Sequence, residues 1–251
     1  MRKDKLMLND DTTEFLIIGS HRQLSKVSIN KIKVGDTDVA PSCSARNLGA
    51  WFDSNMNMSA HVSKVCGSAF YYLYNIRHIR KYLSRETTET LVHAFITSRL
   101  DYCNSLLYGV PEYQLNKLQR VMNASARIIC GAPKFCHVTP LLKELHWLPV
   151  RWRIDFKILL LTFKALHGLA PKYLTDLISV LPASRYSLRR DDNGILLDRP
   201  RSRTKKTMGD CSFMVAAPFL WNTLPLQARQ STNLNTFKSA VKTFLFSKVF
   251  S

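Results

Sequence analysis

The chain has 251 residues, 46% of them hydrophobic and 10% aromatic, enough for one large or two ordinary domains with a buried core. That composition excludes general disorder. The 36 Lys and Arg against 18 Asp and Glu give a net charge of +18, unevenly spread: 8 basic and 7 acidic residues precede position 61, and 28 and 11 follow it. Such an excess suits a polyanion, most commonly nucleic acid, although a protein that is merely basic shares it. Six cysteines (Cys43, Cys66, Cys103, Cys130, Cys136, Cys211) lie mostly inside apolar helical patterns and fit reduced thiols better than a disulfide framework. The opening MRKDKLMLNDD lacks the apolar core of a secretory signal, and no apolar run reaches bilayer length. The expectation is a soluble, intracellular protein with no membrane partner.

In chain order, Glu14–Gly19 is a short apolar run closed by Gly, as in a buried strand. Ser28–Val39 reads as two alternating half-strands around a Gly35-Asp36 turn, and Ala45–Asp53 as another short strand. From His61 the pattern turns helical. Val62, Val65, Cys66, Ala69, Leu73 and Ile76 follow one face, and Arg77, Arg80 and Lys81 sit near its C-terminal end, where the helix dipole favours them. Ser84 with Thr87 makes half a capping box before a helical TTETLVHAFITSRL, and Asp101–Leu107 either extends that helix or forms a second. Tyr113–Ile129 is amphipathic, with Leu115, Leu118, Val121, Met122, Ser125 and Ile128 inward and Lys117, Arg120 and Arg127 outward. Gly131–Pro133 breaks the chain before a helix over Pro140–His146.

The stretch from Pro149 to Pro171 is the organising element. At 100° per residue, Val150, Ile154, Ile158, Leu161 and Ala165 fall on one side and Trp152, Phe156, Leu159, Leu160, Phe163 and Leu166 on the other. A helix with two apolar faces is expected to be sandwiched between layers. Its first half, VRWRIDFKI, also alternates with period two, which a strand would share. A further short helix is expected over Pro171–Leu181, then an exposed basic loop or hairpin at 183–210, and helices over Phe213–Trp221 and Leu234–Phe250.

No complete active site is legible. Cys130-x5-Cys136-His137 is the nearest approach to a metal site, but it fits no common zinc spacing and lacks a second ligand pair. Asp10-Asp11 and Asp191-Asp192 follow no apolar strand that would present them rigidly and read as solvated turns. Neither a phosphate-binding G-x-x-x-x-G-K-[ST] nor a G-x-S-x-G elbow occurs. His146 and His167 read as packed or capping residues. Basic residues remain as the candidates: Arg77, Arg80, Lys81, Lys117, Arg120 and Arg127, and the segment with Arg185, Arg189, Arg190, Arg199, Arg201, Arg203, Lys205 and Lys206. Tyr71, Tyr72, Tyr74 and Tyr82, interleaved with charge, are either packing groups or stacking platforms for unpaired bases.

Seven blocks then occur in order: KLMLNDDTTEFLIIG at Lys5, ARNLGAWFD at Ala45, SRLDYCNSLLYGVP at Ser98, LQRVMNASARII at Leu118, HVTPLLKELHWLP at His137, FKILLLTFKALHGLAPKYL at Phe156 and APFLWNTLP at Ala217. Together they resemble the C-terminal part of the reverse transcriptase of non-LTR (LINE-like, jockey-type) retrotransposons, over nearly the whole chain. The resemblance implies an α+β fold: a small, truncated, β-rich palm remnant with a primer-grip hairpin over 1–58, a helical thumb-like region over 59–134, and a C-terminal helical region over 135–251. It implies that Leu48, Gly49, Trp51, Phe52 and Asp53 form the primer-grip-like segment, and that Lys5 and Asn9 belong to the palm on the nucleotide side. The family's catalytic aspartates have no match in these residues, and a two-metal polymerase needs them. The intact family enzyme would use magnesium, but here no catalytic residue, metal ligand or cofactor is expected. Met1 then reads as an internal start in a partial copy. The resulting expectation is a fragment of an RNA-directed DNA polymerase, not itself an enzyme, that binds RNA, DNA or a hybrid through basic helices. The alternative is a domesticated nucleic-acid-binding or protein-interaction module.

Overall fold

The computed structural model describes residues 13–35, 37–181, 194–200 and 211–250. They combine many helices with a few short antiparallel strands, an α+β composition, in two compact units, Met1–Ser68 and Ala69–Ser251.

In the first unit, Ser20 accepts a hydrogen bond from Gln23 N–H while the Gln23 side chain reaches back to Ser20 N–H, and this capping box starts a single turn, α1 (His21–Leu24). The half-strands around Gly35 form as expected: β1 (Ile32–Val34) pairs antiparallel with β2 (Thr37–Val39), Ile32 opposite Val39. The single strand expected over Ala45–Asp53 is instead a hairpin of β3 (Ser44–Asn47) and β4 (Ala50–Asp53), with Arg46 opposite Trp51. Its two-residue turn sets both Leu48 and Gly49 at positive φ, +45° and +87°, the backbone that matches strand twist. Leu rarely adopts that conformation, so the sequence carries no turn signal there. The strand expected at Glu14–Gly19 does not form either. Only Phe15 bridges, to Pro41, and Ile18 is more than half exposed because no second strand flanks the segment among the described residues.

Helix α2 (Ser59–Ile79) runs out of this unit into the second, which is helical: α3 (Arg85–Val92), α4 (Ser98–Asp101), α5 (Glu112–Cys130), α6 (Val138–Glu144), α7 (Val150–Leu166), α8 (Lys172–Thr175), α9 (Phe213–Trp221), α10 (Leu226–Arg229) and α11 (Leu234–Phe250). The alternative of a strand over Val150–Ile158 is excluded. Arg151 is the only exposed residue of α7, as its two apolar faces require, and α5, α9 and α11 pack against it. Phe163 of α7 stacks on Phe237 of α11 at 4.4 Å, and Phe237 on Trp221 of α9 at 5.5 Å. Trp221 Nε1–H donates to Ile195 O, and the Asn222 amide pairs with both Leu197 N–H and Leu197 O. Leu197 is thereby fully buried, inside a stretch that the sequence marks as an exposed loop or hairpin, and Val180 bridges to it antiparallel. Gly109, at φ +78°, lies so close to Cys211 Sγ that any side chain there would collide with it. The helix expected over Pro171–Leu181 shrinks to the four residues of α8.

Two inward assignments need adjustment. On α5 the buried apolar residues at the C-terminal end are Ala126 and Ile129, with Ile128 half-buried, because the inward stripe drifts by one position over four turns. Between α3 and α4 the helix expected to be continuous widens into a π turn, His93–Thr97. None of the described helices is long and apolar enough to cross a membrane.

Candidate nucleic-acid interface

Helix α2 turns Ala69, Leu73 and Ile76 into the core of the second unit, which fixes what the rest of that stretch shows to solvent. Phe70, Tyr71, Tyr74, Arg77, His78 and Lys81 recur at helical spacing on the opposite side. Tyr71 is 63% exposed, Tyr74 62% and, just past the helix, Tyr82 76%. From Phe70 to Ile79 the row spans roughly 14 Å along the axis. Lys81 Nζ sits 4.7 Å from the Tyr82 ring centre, and the His78 ring lies 4.2 Å from that of Tyr74.

The π turn extends the row sideways. Widening the helix at His93–Thr97 leaves Phe95 on the outside, where it stacks on Tyr72 at 5.0 Å with the planes 15° apart. Tyr72 in turn meets Tyr71 edge-on at 5.4 Å. Arg99 Cζ lies 4.4 Å from the Tyr72 ring centre, and the guanidinium donates to the Tyr72 hydroxyl at 3.3 Å and to Phe95 O, which holds it against the ring. Sequence reasoning misses Phe95 and Arg99. Their i, i+4 spacing in HAFITSR is the available signal, but a continuous helix would place them differently.

The other candidates divide by what their charge already does. Arg80 is not a free cation: Nε and Nη2 donate to Ile128 O and Ile129 O at 2.8 and 3.1 Å, and Nη1 to Leu83 O. It caps the C-terminal carbonyls of α5, which have no partner within that helix. Arg127, placed outward by the periodicity, is half-buried and donates twice to Cys136 O, closing the loop after α5. Arg77, Lys81, Lys117 and Arg120 are exposed, with Lys117 over the Tyr113 ring. Arg199 is exposed over the ring of Phe219 at 5.3 Å. Arg185, Arg189, Arg190, Arg201, Arg203, Lys205 and Lys206 lie outside the described residues, as do Lys5 and Asn9.

In the first unit, the β3–β4 turn carries Leu48 at its tip, 87% exposed, beside Gly49. Trp51 is half-buried; its backbone N–H donates to His61 Nδ1 at 3.4 Å and Lys64 Nζ lies over its ring at 5.2 Å. Burial pushes the His61 pKa down, which keeps the ring neutral and able to accept that bond. Phe52 is half-buried, and Asp53 is buried with Oδ1 accepting from Asn57 N–H.

Among the described residues no group of three His, Cys, Asp or Glu side chains is placed to hold a metal ion. Asp10-Asp11 and Asp191-Asp192 lie outside those residues. Burial raises the Cys130 pKa, which opposes the thiolate that a metal ligand needs. His167 caps α7, its ring stacked on Phe163 at 3.9 Å, as expected, whereas His146 is exposed at φ +52° with its ring 5.6 Å from that of Phe246, so it is not the packed residue the sequence suggests. Compared with protein families, curated proteins and solved structures, the chain matches none.

Proposed function

We propose that this chain derives from the C-terminal part of a non-LTR retrotransposon reverse transcriptase, does not itself polymerise, and binds single-stranded nucleic acid along the ring-and-cation side of α2. On this reading residues 1–58 are the palm remnant, 59–134 the thumb-like region and 135–251 the C-terminal helical region. The hairpin at Leu48–Gly49 supports the primer-grip assignment by its form, two short strands and an exposed tip. The observation that carries the binding is the exposure of Tyr71, Tyr74 and Tyr82 beside Arg77 and Lys81. Bases stack on such rings without regard to sequence, at about 1–3 kcal/mol each, while the cations take the phosphates.

Two assays test this. Primer extension by the purified protein with magnesium should stay at background, and real extension would overturn the non-catalytic assignment. Titration of a labelled single strand at several salt concentrations should give binding that weakens steeply with salt. Absence of binding at low salt would sink the nucleic-acid reading. The alternative, a protein-interaction module, draws on Phe70 and Phe95, both exposed and without a polar handle. It requires a partner whose binding is insensitive to salt.

A further inference from the structure

Phe15–Gly19 runs through the first unit without a turn or bend and is fastened at its two ends. Phe15 O accepts from Ser42 N–H at 2.7 Å, and Gly19 N–H donates to Ser54 O at 3.0 Å. In an extended chain successive residues turn their N–H and C=O groups to opposite sides. Phe15, Ile17 and Gly19 therefore face inward, and Leu16 and Ile18 present an N–H and a C=O each to the outer side. Among the described residues none of those outer groups has a hydrogen bond. Backbone groups of folded chains are almost always paired, with protein or with water. Ile18 is 54% exposed, so this side is open to solvent and to a ligand.

Exposed edges are commonly blunted by a charge, a proline or a bulge, which keeps a foreign strand from adding. Each regular strand of this unit carries a charge: Lys33 in β1, Asp38 in β2, Arg46 in β3 and Asp53 in β4. Phe15–Gly19, FLIIG, has neither charge nor proline. The preceding Glu14 turns its carboxylate back to accept from Arg46 N–H at 3.0 Å. The same features set the chemistry of the partner. Donors and acceptors repeating every second residue, about 7 Å apart, match the main chain of another extended segment. Leu16 and Ile18 put apolar side chains on one face and Ile17 on the other, with no cation among them to draw a phosphate. We infer that Phe15–Gly19 is a docking edge that binds an extended, uncharged stretch of a partner protein by adding it as a β-strand. No residue of the nucleic-acid row on α2 takes part.

The test titrates a blocked heptapeptide of alternating threonine and valine into the full chain, with amide hydrogen exchange followed by NMR. The peptide should bind one per chain, with an affinity that salt leaves unchanged. It should slow exchange at Leu16 and Ile18 about tenfold or more and leave Lys33 and Asp38 as they were. Ile18→Pro, which deletes an outward donor, should weaken binding roughly two- to tenfold, whereas Ile18→Val keeps the donor and should bind like the parent. If the proline variant misfolds, the exchange pattern of the unaltered chain still decides. The same peptide N-methylated at every residue should not bind. Absence of saturable binding would overturn the inference. So would protection confined to β1 and β2, equal binding of the N-methylated peptide, or a dimer of the chain in sedimentation that the peptide does not displace.

Discussion

Phe163, Trp221 and Phe237 stack on one another out of water, whereas Tyr71, Tyr74 and Tyr82 keep more than half of their surface exposed beside Arg77 and Lys81. Both groups sit in the second unit, and α2, α7 and α11 all carry basic residues. The difference lies in their neighbours. Where α7 faces α9 and α11 the space around Phe163 is filled by Phe237 and its neighbours, so a ring there stabilises by burial. The exposed side of α2 has Leu73 and Ile76 behind it and solvent in front, so its rings contribute little to folding and remain available to a ligand. Aromatic content alone therefore distinguishes neither role.

The sharpest way to break this contrast is to truncate one ring of each kind. Trp221→Ala removes the largest buried side chain and the Nε1–H bond to Ile195 O. It should cost about 3–5 kcal/mol in denaturant unfolding, whereas Tyr74→Ala should cost far less. A Trp221→Ala loss below about 1 kcal/mol would mean that this core is not the one that holds the unit together.

Charge shows the same contrast. Asp155, on α7, has its carboxyl pushed up from 3.8 to about 6 by burial, against the opposing pull of Arg151 and Lys248. Between those values the folded state binds more protons than the unfolded one, so this group's contribution to stability rises as pH falls through 6 and is complete near 4. Above 6 the ionised carboxylate is carried at a cost. Asp155→Asn should therefore stabilise at pH 7, by at most about 3 kcal/mol, and the gain should vanish near pH 4. Burial lowers the His61 pKa and acts with the opposite sign in acid, but it is common to both proteins and cancels in the difference. A gain that does not depend on pH would contradict the burial account.

Arg80 and Arg77, three residues apart, sharpen the comparison further. Arg80→Ala strips hydrogen bonds from the end of α5 and should lower stability by about 1–3 kcal/mol. Arg77→Ala should leave stability within about 0.5 kcal/mol. It should reduce the salt slope of strand binding by about one unit for each phosphate that Arg77 neutralises. If the two variants behave alike, the division between capping and ligand-facing cations fails.

How far the sequence can be read follows from which signals are local. The hairpin around Gly35, the start of α2 near His61 and the two-faced α7 depend on periodicity and turn chemistry, and they appear where expected. The β3–β4 turn does not show because Leu48 adopts a backbone that its side chain normally avoids. The π turn has no residue signature, and it hides Phe95 and Arg99 from a helical wheel. Arg80 and Arg127 look like surface charges on the same wheel. Only the tertiary arrangement brings orphan carbonyls within their reach. Leu197 is concealed in an arginine-rich stretch, since the three-residue apolar run Ile195–Leu197 is too short to show which of its members is buried.

The most direct test of the strand-binding row is where a bound strand touches the protein. Ultraviolet cross-linking of a photoreactive single strand, mapped by mass spectrometry, should mark the Phe70–Tyr82 segment. The marks should disappear in a Tyr71→Ala, Tyr74→Ala variant whose unfolding curve is unchanged. Cross-links confined to the Arg185–Lys206 stretch, with binding unaltered in that variant, would contradict the account.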